Sequence, residues 1–296
     1  MMIDSQIIRF DELSEVSNPI ENSTFKNVTM QNSQVNFFLF GGFKNNGITN
    51  LSILYVMYLI NLNIVNNIIS REQAIIQINQ FISTDNSQVI VSNSTFKNNS
   101  FISGGALIKA TQNTKNPMII ENTYFTENFQ GIIHIQAEDV RKTNLPLQVN
   151  INNCNVTNNF PMTLSFIKLN TNSRIVIRDS VFHKILSQSR GSVILADFQN
   201  VDVQIYNSNF TSSFAKDGGL FFVHYGSSLL IDSSIMSDNL AYSGGIATVE
   251  NQGRITVKNS IIQNNRASKV PVVNILDSFD QISKFENFCE CTLNER

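Results

Sequence analysis

The chain has 296 residues, enough to bury a substantial core as one domain or two. Charged residues make up 15% and the formal net charge is −2, so nothing draws it to phosphate backbones or acidic lipid, and nucleic acid is not an expected partner. Asn takes about one residue in seven, Phe reaches 22 and Trp is absent; AT-rich coding sequence also enriches Asn, Ile and Phe, so position must carry the reading.

At the start, "MMIDSQIIRFDELSEV" is charged and lacks a secretory apolar core, so the expectation is either an intracellular protein or an excerpt or incomplete gene model, of which the excerpt is preferred. Within residues 1–18, Ile7, Ile8, Phe10, Leu13 and Val16 suit a segment lying across the end of the fold. From Pro19 to Leu276 a pattern recurs: a polar anchor, a small residue, and a large apolar residue three positions past the anchor. The anchors are Asn22, Asn61, Asn93, Asn122, Asn153, Asp179, Asn207, Asp232 and Asn259. From Asn93 onward they are spaced by 29, 31, 26, 28, 25 and 27 residues, a period typical of stacked supersecondary units. The earlier intervals, 39 and 32, imply longer loops, and Gln31 to Thr49 is expected to project. The run "LSILYVMYLI", Leu51 to Ile60, stops at Asn61, too short for a bilayer span, and reads as buried strand.

Each period holds three apolar stretches. Before the anchor, alternating pairs such as Val89/Val91, Val149/Ile151, Ile175/Ile177 and Ser228/Leu230 give a strand with one buried face. After it, Phe25, Ile64, Phe96, Phe125, Val156, Phe182, Phe210, Ile235 and Ile262 mark a second short strand. Gly then often announces a third, as in Gly104-Gly105 before "ALIKA" and Gly244-Gly245 before "IATVE". No room is left for a helix of ten residues. The fold class that follows is all-β: a right-handed parallel β-helix solenoid of about nine coils, three short strands each. A leucine-rich repeat has a similar period, but only Leu59 to Asn63 suggests its template.

Coiling explains the motif. The anchor occupies a sharp corner needing a left-handed residue, which Asn tolerates well, and anchor amides stacked one rung apart are expected to form a ladder that weakens at Asp179 and Asp232. Phe96 should stack on Phe125 and Phe182 on Phe210, with Gly pairs supplying positive φ where the chain re-enters the third strand. Toward the end, Phe279, Ile282, Phe285 and Phe288 recur every three residues, so 277–296 reads as a cap or the start of a further coil.

"FKNN" at Phe96, "FTEN" at Phe125 and "GGAL" at Gly104 resemble the FxxN and GGA(I/L/V) repeats of polymorphic outer-membrane proteins, within the pectin-lyase-like β-helix group. "FHKI" at Phe182 lacks the Asn, and the copies at Asn61 and Asn153 lack the Gly pair. The resemblance implies a cell-surface or secreted, adhesive protein and supplies no catalytic residues.

Candidate chemistry lies on the outward face of the third strand. One expected row reads Lys168, Asp197, His224, Glu250, close enough for Asp197, His224 and Glu250 to act as acid/base partners on a glycosidic bond. The plainer reading is a solvated row of mixed charge. A neighbouring row, Phe166, Leu195 and Phe222, is expected as an apolar stripe for a sugar or protein, with Lys168 beside it. The three His, at 134, 183 and 224, share no metal-ligand spacing, Gly pairs lack the Lys of a phosphate loop, and Cys154, Cys289 and Cys291 make neither a disulfide framework nor a zinc set, so no metal or cofactor is expected. Sequons at Asn98, Asn155 and Asn209 are expected to face outward. The expected function is a non-enzymatic structural or adhesive module contacting glycan or a surface protein, the alternative a polysaccharide lyase or glycoside hydrolase working along the third sheet.

Overall fold

The computed structural model describes residues 8–10, 22–26, 29–31, 38–40, 56–69, 74–78, 88–101, 105–111, 116–136, 146–162, 164–276, 284–286 and 289–291. Three long parallel sheets run the length of the fold. The first carries the strands before each anchor, from Asn22–Lys26 through Gln88–Ser92 and Ser173–Arg178 to Lys284–Glu286. Strands after the anchors, from Thr29–Gln31 to Cys289–Cys291, form the second sheet, and Ile8–Phe10, Ala106–Ala110, Phe221–Val223 and Val273–Leu276 belong to the third. Every strand pairs with its counterpart one repeat away, which makes the fold a parallel β-solenoid.

Left-handed corners set its shape. Between the first and second sheets, Asn61, Asn93, Asn122, Asn153, Asp179, Asn207, Ser233 and Asn259 all have φ between 47° and 54°. These eight corners enclose seven turns, fewer than the nine coils expected, with paired strands continuing at both ends. Two anchors move. Asn22 opens the strand Asn22–Lys26, so Phe25 pairs with Leu59 in the first sheet and Met30 takes the place beside Ile64. At Asp232 the corner is the next residue, Ser233, which turns Leu229, Ile231 and Met236 inward and leaves Ile235 facing out. "LLIDSSIM" offers apolar residues at every other step in either register, and a one-residue shift exchanges the two faces.

A second left-handed corner, absent from the sequence reading, follows five residues after the first, at Asn66, Asn98, Glu127, Asn158, Lys184, Ser212, Asp238 and Asn264. It leads into a fourth, very short strand, such as Ser100–Phe101, Phe214–Asp217 or Leu240–Ser243. The residue after it points inward, and there the buried ladder forms: Asn67, Asn99, Asn128 and Asn159, each Nδ2 donating to the next Oδ1 at 2.8–3.0 Å. Ile185 and Ser213 interrupt this column before Asn239 and Asn265 resume it. Corner amides make the expected ladder only as exposed pairs, such as Asn153 Nδ2 to Asn122 Oδ1 at 2.7 Å, so the main ladder sits six residues later than expected.

The small residue after each first corner builds a parallel serine column. Backbone N–H groups of Cys154, Ser180, Ser208 and Ser234 donate to the hydroxyl one rung on, and Ser180, Ser208, Ser234 and Ser260 hydroxyls donate to the carbonyl two residues upstream. Polar groups turned inward at a bend are thereby satisfied. Cys154 occupies one rung as a buried free thiol, which burial pushes up to about 12.

Phe96 stacks on Phe125 and Phe182 on Phe210, each at 5.0 Å and 11°, with Phe166 and Phe221 edge-on beside them. All six rings are fully buried, each burial contributing about 2–3 kcal/mol and each stack about 1 kcal/mol more. Within the expected loop Gln31 to Thr49, Phe38–Phe40 is a strand of the third sheet. Leu13, Val16, Phe279, Ile282 and Phe288 lie outside the described residues, while Phe285 sits in a strand paired with Thr256–Lys258. Among the described residues no helix is long and apolar enough to cross a membrane.

Candidate functional site

On the third sheet, the register brings Asp197, His224 and Glu250 onto adjacent strands just past the inward Ala196, Val223 and Val249. Lys168 does not join them: it pairs with Leu195, which pairs with Phe222. Here the coil advances by 27 residues, whereas placing Lys168 beside Asp197 needs 29. Nor is there an exposed apolar stripe. Phe166 points into the core, and Leu195 and Phe222, on the outer face, are only 6% and 0% exposed, with the Arg190 guanidinium 4.6 Å above the Phe222 ring.

His224 Nδ1 lies 2.7 Å from Asp197 Oδ1, and its Nε2 is 3.9 Å from Glu250 Oε2, beyond hydrogen-bond range. The nearer partner of Nε2 is Asn251 Nδ2, a residue that sequence reasoning missed. Its left-handed backbone follows Glu250 in a tight turn, which swings the amide back over the ring. The ring is thus held at both ends, Nδ1 against the Asp197 carboxylate and Nε2 against the Asn251 amide. The ring rests against Tyr225, centroids 3.8 Å apart, and its side chain is only 8% exposed. Both nitrogens are therefore occupied, and the imidazole fills the space between the two carboxylates. Glycoside-cleaving carboxylate pairs work across a gap of about 5–9.5 Å that holds the bond to be cut or the attacking water. Here that gap holds a ring. Among the described residues no three His, Cys, Asp or Glu side chains are grouped to hold a metal ion.

The adjoining outward row, Lys109, His134 and Lys168, is basic. Burial, then the charges of Lys168 and Lys109, lower His134 to about 4, and its Nε2 has no hydrogen-bond partner among the described residues. Because the folded value lies below the unfolded 6.5, the unfolded chain binds more protons between pH 4 and 6.5. Stability is thus full above pH 6.5 and falls as the pH drops toward 4, by about 2 kcal/mol after allowance for solvent screening. Urea unfolding at pH 4.5 and 7 should show this loss in the wild type, and a shallower slope in His134→Gln.

Two surface features lie away from the third sheet. Phe129, Phe160, Leu186, Phe214 and Leu240 face outward on five successive coils: Phe129 pairs with Phe160, Asn159 with Ile185, and Leu186 with Phe214, which pairs with Leu240. Phe129, Leu186 and Leu240 are 38–48% exposed. This apolar row lies on the segments after the second corner, which include separate short strands at Phe214 and Leu240 and the ends of the longer strands Asn155–Met162 and Val181–Ser187, hence its absence from a reading with three strands per coil. A groove of about 400 Å³ runs along the first corner, lined by Asn93, Asn122, Asn153 and Asp179 on one side and Thr95, Tyr124, Asn155 and Val181 on the other. Of the sequon residues, Asn98 is exposed and Asn155 and Asn209 are half-buried. No family model, curated protein or solved structure matches the chain.

Proposed function

We propose that the chain is a non-enzymatic contact module of a cell-surface or secreted protein, a stiff rod that meets another macromolecule along its outer faces. The observation that carries this reading is the apolar row Phe129, Phe160, Leu186, Phe214, Leu240. Five large apolar side chains at one strand spacing form a continuous strip, and soluble proteins rarely leave such strips in water without a partner. The FxxN and GGA repeats, which resemble those of surface proteins, support the location. Asp197, His224 and Glu250 favour the second reading, polysaccharide cleavage, by proximity alone; the occupied imidazole and the filled gap count against it.

Both readings meet in one experiment. Fluorescently labelled wild type should bind intact cells, and Leu186→Lys/Leu240→Lys should bind about tenfold less with an unchanged unfolding midpoint. Neither wild type nor Glu250→Gln should release reducing ends or unsaturated products from polysaccharides. Turnover by the wild type that Glu250→Gln abolishes overturns the contact reading.

A further inference from the structure

We propose that the corner groove between the first and second sheets is a binding site for an extended, uncharged glycan running along the solenoid axis. The inference rests on the contact reading above and names a ligand class for a different face of the same rod.

Four successive coils contribute to the groove. Asn93, Asn122, Asn153 and Asp179 supply one polar side chain per coil along its first wall. They sit on left-handed corners whose φ values agree within a few degrees, 48–51°, so each side chain leaves the backbone in the same direction. Thr95, Tyr124, Asn155 and Val181 repeat along the second wall in continuous register. Amides and hydroxyls thus recur at about 4.8 Å, one strand spacing. An extended polymer of sugar rings, advancing by a similar length per ring, presents hydroxyls to such a wall with little loss of register. Each amide has two donor hydrogens and two acceptor lone pairs, more than its one ladder bond consumes, so the Asn153–Asn122 pair retains capacity for a ligand.

Tyr124 supplies the apolar component. It is 56% exposed, the most exposed large hydrophobic side chain among the described residues, and stands at mid-groove between Thr95 and Asn155. A flat phenol beside amides suits the two faces of a pyranose, one of C–H groups and one rim of hydroxyls. Charge narrows the class. Asp179 is the one ionisable side chain among the lining residues apart from the Tyr124 phenol and the buried Cys154 thiol, with no Lys, Arg or His to hold carboxylate or sulfate groups. Polyanionic glycans are therefore disfavoured. An added peptide strand is excluded as well. Strands Thr95–Lys97, Tyr124–Thr126, Asn155–Met162 and Val181–Ser187 are each paired on both sides, so the groove offers no free main-chain edge and recognition falls to side chains.

The test uses the full chain made in bacteria, so that Asn155 carries no sugar, titrated with neutral hexasaccharides of β-linked glucose, xylose, mannose and N-acetylglucosamine, with polygalacturonate and heparin as acidic arms. Calorimetry should find binding to at least one neutral oligomer. Tyr124→Ala should weaken it about tenfold and Tyr124→Phe by less than about threefold, while Leu186→Lys/Leu240→Lys leaves it unchanged. In the wild type, the Tyr124 ring resonances should shift on titration, a reading that needs no variant. Binding confined to the acidic arms, binding indifferent to Tyr124→Ala, or no glycan binding by a protein that still adheres to cells through its apolar row would each overturn the groove assignment and leave the contact reading standing. Loss of cell adhesion contrast with glycan binding intact would do the reverse.

Discussion

Asn128→Leu is expected to lower stability by about 2 kcal/mol, although the two side chains are similar in size. Asn128 Oδ1 accepts from both the N–H and the Nδ2 of Asn99, and its own Nδ2 donates to Phe96 O and Asn159 Oδ1, all at 2.9–3.1 Å and all buried. Leucine leaves two donor hydrogens of Asn99 without partners in an interior that water does not enter, while the Phe96 carbonyl keeps its ladder bond to the neighbouring strand. Each such orphan costs about 1–3 kcal/mol, and the apolar burial gained offsets roughly 2 kcal/mol. Asn128→Ser should cost about half as much, because Ser213 already serves in this column, accepting from Ile185 N–H through Oγ. Solenoids unfold piecewise, so amide exchange at Asn99 and Asn128, alongside the urea midpoint, is the informative measurement. Unchanged protection at both would show that the ladder holds nothing.

The same column shows what the sequence could and could not reveal. Phe96, Phe125, Phe182 and Phe210 were legible because identical rings recur at one period, and a β-solenoid is the architecture that stacks them. Corner residues were legible because a left-handed backbone selects Asn. Which Asn is buried was not. In "FKNN", Asn98 turns the corner and Asn99 enters the core, and a chain so rich in Asn gives no compositional cue to choose between them. Glu127 and Lys184 hold the same left-handed backbone with charged side chains, which hid the second corner and, with it, the strands that carry the apolar row.

On the third sheet the distance from corner to strand varies with the loop between them. Counting from the anchor therefore aligned Asp197, His224 and Glu250 correctly but misplaced Lys168 by two residues. Phe166 fared no better: expected to face outward, it lies in the core, whereas Leu195 and Phe222 do lie on the outer face but are covered there. Asn251 left no signal at all. It matters because a turn after the strand brings its amide to His224, and that contact decides between an available base and a satisfied buried ring.

Gly245→Ala should be a severely damaging single methyl, with an expected cost of about 3 kcal/mol or more. A Cβ there would lie 2.0 Å from the Pro271 carbonyl oxygen and 3.1 Å from its carbon, on the neighbouring coil. Both obstacles are backbone, so no side chain can swing aside, and the two rungs must separate where Gly245 N–H donates to Val270 O. The next coil repeats the arrangement: a Cβ on Gly219 would lie 2.2 Å from Gly245 O. Gly226→Ala supplies the control. Its φ of 72° is left-handed, as that of Gly245 is not, yet nothing lies within 4 Å of the added carbon, so only the conformational penalty of about 1 kcal/mol applies. Measured by chemical unfolding with local amide exchange, Gly245→Ala should exceed Gly226→Ala by about 2 kcal/mol. Equal costs would mean that close contact between rungs does not limit what the repeat can hold at this position.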